Sequence, residues 1–218
     1  RSRWAEPGDM GFRDWYAERV LPRAIDVACG SAGFRLPRAD TVADTHGTVL
    51  EIGFGSGHNL PHYPSTVDRL LAVDPSGRAL EIATPRIERS PVSVELVGLD
   101  GQQIPIDDAS VDCVVSTFTL CTIPDVRAAL AEVRRVLRPG GTFHVLEHGL
   151  ADEPGVQRWQ RRVSPLQQRI AGGCHTDRHV PGLLSDAGFV WEPTAMARWY
   201  AGRPKTLTYL TRVTARVG

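Results

Sequence analysis

The sequence predicts an α/β protein in which a mostly parallel sheet is covered by helices on both faces. Two observations carry this. Short β-rich runs alternate with amphipathic helical stretches. The first run ends in a glycine-rich turn and the second in Asp74-Pro75, as strands that feed loops at one end of a sheet do.

The elements follow in order. Residues 11–29 place Phe12, Trp15, Tyr16, Val20, Ile25 and Ala28 at helical spacing, with Pro22 set to kink or split the helix. Residues 30–37 read as a loop by composition. Strands are expected at 48–52, 70–73, 92–97, 111–116 and 142–146. The clearest helix is 125–137, with Val126, Leu130, Val133 and Val136 on one stripe. Asp125 is its expected N-cap, and Pro139-Gly140-Gly141 its stop. Helices at 156–170 and 180–187 and strands at 189–191 and 206–213 complete the chain.

The 218 residues are 42% hydrophobic and 23% charged with zero formal charge, which excludes a disordered chain and a global basic field for nucleic acid. From Ala151 onward ten basic residues face five acidic ones. Solvated arginine faces account for this; an anionic acceptor or lipid headgroup is the sharper alternative. There is no apolar run of about 18 residues and no signal-peptide pattern. Cys29, Cys113, Cys121 and Cys174 form no C-x-x-C pair, so a reducing cytoplasm is the expected compartment. Peripheral membrane contact and oligomeric state stay open.

Val49-Leu50-Glu51-Ile52-Gly53-Phe54-Gly55-Ser56-Gly57 is a strand, an acid, then glycines at alternate positions. Such glycines let the backbone turn tightly and approach a ligand. At the C-terminal end of a parallel strand this is a nucleotide crevice. Asp74 ends the next strand and can accept both hydrogens of a ribose diol. The spacing is not the G-x-G-x-x-G that binds a pyrophosphate. Glu51 would repel a diphosphate but welcome an ammonium or sulfonium, which argues against a nicotinamide oxidoreductase.

These residues resemble class I S-adenosylmethionine-dependent methyltransferases over about residues 47–190. Glu51, Gly53, Gly55 and Gly57 match the first motif and Asp74 the second. Leu99-Asp100-Gly101-Gln102-Gln103-Ile104-Pro105 matches the adenine-binding segment, with Leu99 where glycine is usual. Ser110 to Ser116 match the fourth-strand motif, and Leu137 to Gly141 the turn before strand five. Asn59 to Pro64, Thr117 to Ile123, Glu147-His148, Gly173-Cys174 and Arg178 are similar to the methyltransferase type 11 group that includes alkyl-thiol methyltransferases. His62 stands where that group has an aromatic. The group's animal members carry an N-terminal membrane anchor, which is not expected here.

The resemblance implies a Rossmann-like, seven-stranded sheet whose last strand is antiparallel. It implies one domain over 1–218: a helical cap at 1–46, a cofactor-binding core at 47–150, and acceptor-side helices and strands at 151–218. The expected cofactor is S-adenosylmethionine, with S-adenosylhomocysteine as product. Glu51, Gly53, Gly55, Gly57, Asn59, Asp74, Pro75, Asp100, Gly101, Ser116 and Thr117 are its expected contacts. His58 and Tyr63 are further candidates near its methionine end. The expected function is methyl transfer to a small lipophilic acceptor, a thiol before a phenol or other hydroxyl. A non-catalytic S-adenosylmethionine-binding module is the alternative.

A methyl group already activated as a sulfonium asks the protein to align the acceptor and exclude water. A thiol, with a free pKa near ~8.5, needs little help to ionise. His148 is the leading general-base candidate, with Glu147 as its orienter or as an alternative base. Tyr16, His62, Phe118 and Cys121 are expected at the acceptor pocket. Cys121 and Cys174, with His148 and His175, suggest a metal site, but their spacing matches no zinc pattern and none is expected.

Overall fold

The computed structural model describes residues 16–218. Phe12 and Trp15 lie outside the described residues. A π-helical turn, Tyr16–Val20, runs into α1, Leu21–Cys29. Pro22 sits in the first turn of α1, where its missing N–H breaks no bond. The expected loop at 30–37 is instead a 3₁₀ turn, Ala32–Phe34, leading into α2, Arg35–Val42. Pro37 falls in the first turn of α2, so the proline that suggested a loop is compatible with a helix start.

The strands are β1 (Gly47–Ile52), β2 (Val67–Val73), β3 (Ser93–Gly98), β4 (Val111–Thr117), β5 (Leu137–His148), β6 (Phe189–Val190), β7 (Met196–Tyr200) and β8 (Tyr209–Val217). The remaining helices are α3 (Gly77–Ile87), α4 (Val126–Val136), α5 (Pro154–Ile170), α6 (Val180–Asp186) and α7 (Lys205–Thr208). The sheet order is β3-β2-β1-β4-β5-β8-β6, with β7 also paired to β8. Strands β1 to β5 are mutually parallel, and β8 runs antiparallel to β5.

The sheet has eight strands, not the expected seven. β6 and β7 lie on the same edge of β8, Phe189 opposite Val217 and Met196 opposite Val213. A 3₁₀ turn at Pro193–Ala195 parts them. Proline cannot donate to a ladder and tends to interrupt a strand. The strand expected at 206–213 starts later, because Lys205–Thr208 forms one helical turn.

Alternating side chains divide the core between the two faces. Leu50, Ile52, Leu71, Val73 and Val114 pack with Leu130 and Val133 of α4 and Leu184 of α6. Val49, Leu70, Ala72, Cys113 and Val115 pack with Val42 of α2 and Ala83 of α3 on the other. α4 begins as expected: the Asp125 carboxylate accepts from the Arg127 and Ala128 amides at 3.1 and 3.0 Å. It ends at Val136, one residue early, because Leu137 is already extended and opens β5. Pro139-Gly140-Gly141 therefore lies inside β5, with Gly140 at φ +82°. Among the described residues, no helix is long and apolar enough to cross a membrane.

Candidate active site

Strand order reverses between β1 and β4, and open α/β sheets bind ligands at the carboxyl ends of strands flanking such a point. A cavity of about 630 Å³ lies there. That volume suits a ligand of nucleoside size.

Its floor is the glycine loop. Gly53, Gly55 and Gly57 have φ of +73°, +56° and +77°. The Gly53 amide donates to Val73 O at 2.8 Å. A Cβ on Gly53 would fall 2.0 Å from Thr119 Oγ1. A Cβ on Gly55 would meet no atom nearer than 3.9 Å, so that backbone stands open to close approach. Asp74 fixes the loop: its carboxylate accepts from the Gly55 amide at 2.6 Å and from the Ser76 amide at 2.8 Å. Burial pushes the Asp74 pKa up against those bonds. Pro75 and Ser76 line the same wall.

Leu99, Asp100, Gly101 and Gln102 form an adjacent stretch of lining. Asp100 is exposed and accepts from the Gln102 side chain at 3.0 Å and amide at 2.8 Å, which hold its carboxyl below the usual range. A Cβ on Gly101 would press 2.7 Å from Ile52 Cγ2, so glycine lets this loop close on β1.

Glu51 lies behind the wall, outside the lining. It is 1% exposed, and accepts from Asn59 Nδ2 and Tyr63 OH, each at 2.7 Å. Burial raises its pKa from 4.5 to about 7, while those two bonds and the nearby Arg38 oppose the rise. Asn59, Gly57 and Ser116 are likewise behind the lining, whereas Thr117 is part of it. Arg38, which the sequence did not single out, joins the two layers. It lines the cavity and donates to Asn59 Oδ1 at 2.9 Å and Thr117 Oγ1 at 3.0 Å. Its guanidinium stands 5.1 Å from the centre of the Phe118 ring. Its buried Nε has no protein partner. No local motif marks Arg38; its helix falls in and beyond a stretch that reads as a loop.

The other flank is apolar, from Leu21, Pro22 and Ile25 of α1 to Phe118, Ile123 and Pro124 after β4. Phe118 adopts φ +58°, an unusual conformation for a side chain of that bulk. Its ring packs 4.9 Å from both Phe34 and His148. The turn is held by Glu147. That carboxylate is fully buried and accepts from Ser116 Oγ at 2.9 Å and from the Thr119, Leu120 and Cys121 amides at 2.8, 2.7 and 3.3 Å. Burial raises its pKa against these bonds. Glu147 faces the turn and not the cavity lining.

His148, on the next residue of β5, lies behind Phe118, and its buried Nδ1 has no partner. Cys121 and Cys174 meet beside it, their sulfurs 3.5 Å apart. His175 does not join them; its Nδ1 lies 3.0 Å from Gln168 Nε2. Tyr16 OH donates to Ile170 O at 3.0 Å and lies off the lining, as does the half-buried His62. His58 does line the cavity, with Nε2 2.9 Å from Asp26 Oδ1 of α1. Arg86 donates to the same carboxylate oxygen at 3.0 Å.

This lining suits S-adenosylmethionine in three ways. Two carboxylates can receive hydroxyl and amino groups, Arg38 brings a positive charge to the lining for a carboxylate, and the open Gly55 backbone admits close contact.

Residues 50–145 match a family described as a methyltransferase domain. The chain is 32% identical over 156 residues to thiol S-methyltransferase TMT1B of Rattus norvegicus, covering 67% of this chain and 63% of that one. It is 28% identical to a phosphatidylethanolamine N-methyltransferase of Cereibacter sphaeroides, over 69% of this chain and 75% of that one. The chain thus spans about three fifths of the thiol methyltransferases it matches. In fold it is similar to a SAM-dependent methyltransferase from Aquifex aeolicus, with a TM-score of 0.63 and 18% identity over 90% of this chain and 98% of that one. The matched segment carries the strands that build the cavity, and the fold agrees around it. Residues 50–145 are thus similar to the methyltransferase-domain family, and the cavity that this segment largely lines is where S-adenosylmethionine would be held.

Proposed function

We propose that this chain methylates a small, lipophilic acceptor, a thiol in preference to a phenol or other hydroxyl. The observation that carries the reading is the single cavity in which the glycine loop and carboxylates adjoin the apolar flank of Phe118, Ile123, Leu21 and Ile25. Similarity to thiol S-methyltransferases supports the choice of thiol.

The cofactor supplies a methyl group activated on a sulfonium. Gly53, Gly55, Asp74, Pro75, Asp100, Gly101 and Thr117 would hold it, with Arg38 toward its carboxylate. Glu51 and Asn59 act from behind: they fix Arg38 and Thr117 and set a negative charge close to the site. Phe118 and the α1 side chains bind the acceptor and exclude water, which is most of what an already activated methyl requires. Loss of the acceptor's proton is assisted by His148. Glu147 fixes the turn that aims Phe118 and takes no proton itself.

The test is S-adenosylhomocysteine release from purified protein across aliphatic thiols, aryl thiols and phenols, beside a blank without acceptor. Turnover confined to thiols is expected. Turnover with phenols alone would overturn the preference. Cofactor binding with no turnover on any panel member would favour a non-catalytic binding module.

A further inference from the structure

The loop after β4, the end of β5 and the loop after α5 converge behind Phe118. They bring one ligand atom each from Cys121, His148 and Cys174 to within 4.8 Å of one another. It is the one such trio of histidine, cysteine or acidic residues among the described residues. Both cysteines are buried, and His148 is half-buried with a partnerless Nδ1.

We infer that Cys121, Cys174 and His148 form a binding site for one zinc ion. Ligand atoms around a tetrahedral zinc stand about 3.5–3.8 Å apart, given zinc–sulfur bonds near 2.3 Å and zinc–nitrogen bonds near 2.0 Å. The two sulfurs, 3.5 Å apart, already meet that spacing. They are well beyond the ~2.05 Å of a disulfide. Two sulfurs and an imidazole are a donor set for a thiophilic d¹⁰ ion and not for magnesium or calcium.

The surroundings hold the ligands in place. The Cys121 amide donates to Glu147, and its carbonyl accepts from the His175 amide at 2.7 Å. Gln167 Nε2 lies 3.8 Å from Cys174 Sγ and can donate to a thiolate. The His148 ring is braced by Phe118. Chain spacing could not disclose the site, because its ligands come from three separate segments.

On binding, both thiols release their protons to solvent, each sulfur forms a bond to zinc, and no electron is transferred. Three protein ligands leave a fourth position for a small molecule, the pattern of reactive rather than purely structural zinc sites. Cys121, His148 and Cys174 all stand outside the cavity lining, so the fourth position lies behind Phe118 and the ion would act on the pocket by fixing that wall. With zinc bound, the His148 ring is engaged and takes no proton from an acceptor, which is the one point where the site bears on the thiol reading above. The existence of the site does not depend on that reading.

The test titrates reduced, metal-free protein with Co²⁺ under anaerobic conditions, then displaces cobalt with Zn²⁺. One equivalent with intense thiolate-to-cobalt absorption is expected. Cys121→Ser and Cys174→Ser should each lower cobalt affinity about 100-fold or more and weaken that absorption, and His148→Ala should lower affinity at least about tenfold. Cys113→Ser, on a buried thiol outside the trio, should leave both unchanged. Thermal melts of the metal-free variants separate loss of ligand from loss of fold. Absence of uptake by the folded wild type, or uptake unchanged in both trio cysteine variants, would overturn the inference. So would a reduced protein that takes no metal yet forms a Cys121–Cys174 disulfide on treatment with a peroxide. Acceptor turnover is not read in this experiment, so failure of the thiol preference leaves its result intact.

Discussion

The two flanks of the cavity are built differently. On the glycine-loop side, Asp74 is bonded by the Gly55 and Ser76 amides and Asp100 by Gln102. These contacts are short-range or join neighbouring strands. On the Phe118 side, packing joins Phe34, Phe118 and His148, and Glu147 holds a turn 26 to 31 residues away. One flank is a local backbone device reused at the crevice of an open sheet. The other exists only once distant segments have closed.

This difference can be broken first at Glu147. Glu147→Ala leaves a hydroxyl and three amides without their acceptor, and should cost about 3–5 kcal/mol, read as a lower midpoint in urea. Glu147→Gln keeps an acceptor oxygen and should cost less. Stability unchanged in both would remove the anchoring role.

Next is Gly53→Ala. The new methyl group would meet Thr119 Oγ1 at φ +73°, so the two flanks collide where they touch. We expect about 2–3 kcal/mol of destabilisation together with loss of cofactor binding. Calorimetry with S-adenosylhomocysteine checks the binding half.

Glu51 gives a smaller effect with a distinct pH signature. Its folded pKa, about 7, lies above the ordinary 4.5. The folded protein therefore holds this proton longer than the unfolded chain does. The resulting stability is fully present below 4.5 and is lost as pH rises through about 7. A cationic cofactor favours the ionised carboxylate, so cofactor affinity should rise across the same interval and binding should release a proton. Titrations in buffers of different ionisation enthalpy measure that release. Glu51→Gln should abolish it and weaken binding about tenfold.

The smallest effect is expected at Asp100. It is exposed and bonded only within its own loop. Asp100→Asn should leave stability unchanged and weaken cofactor binding by about threefold to tenfold. A loss of stability equal to that of Gly53→Ala would contradict the division between flanks.

The same division explains what the sequence disclosed. The glycines, Asp74 and the Asp125 cap announce themselves through local spacing, because local backbone geometry demands those residue types. Arg38 announces nothing: its partners Asn59 and Thr117 lie 21 and 79 residues away. Cys121, His148 and Cys174 draw notice in the sequence together with His175, but their spacing argues against a metal site and only the fold brings the three into one cluster without His175; the burial of Glu147 beside the half-buried His148 is likewise set by distant segments. The sequence pattern ends a strand at 191 and omits β7, which lies beyond the Pro193–Ala195 turn and owes its extended form to pairing with β8.

The contact of Asp26 with His58 and Arg86 has a consequence in time. None of the residues of α1 is fully buried, yet four of them wall the cavity. A single carboxylate receives the Arg86 guanidinium and the His58 ring that tie this helix to the rim; burial pulls the His58 pKa down, so Arg86 carries the charge. Partly exposed ion pairs of this kind are weak and screened by salt. Exchange of product for fresh cofactor should therefore quicken as ionic strength rises. The doorway opens at a rate set by the solution, while the floor beneath it, made of backbone bonds, stays as it is.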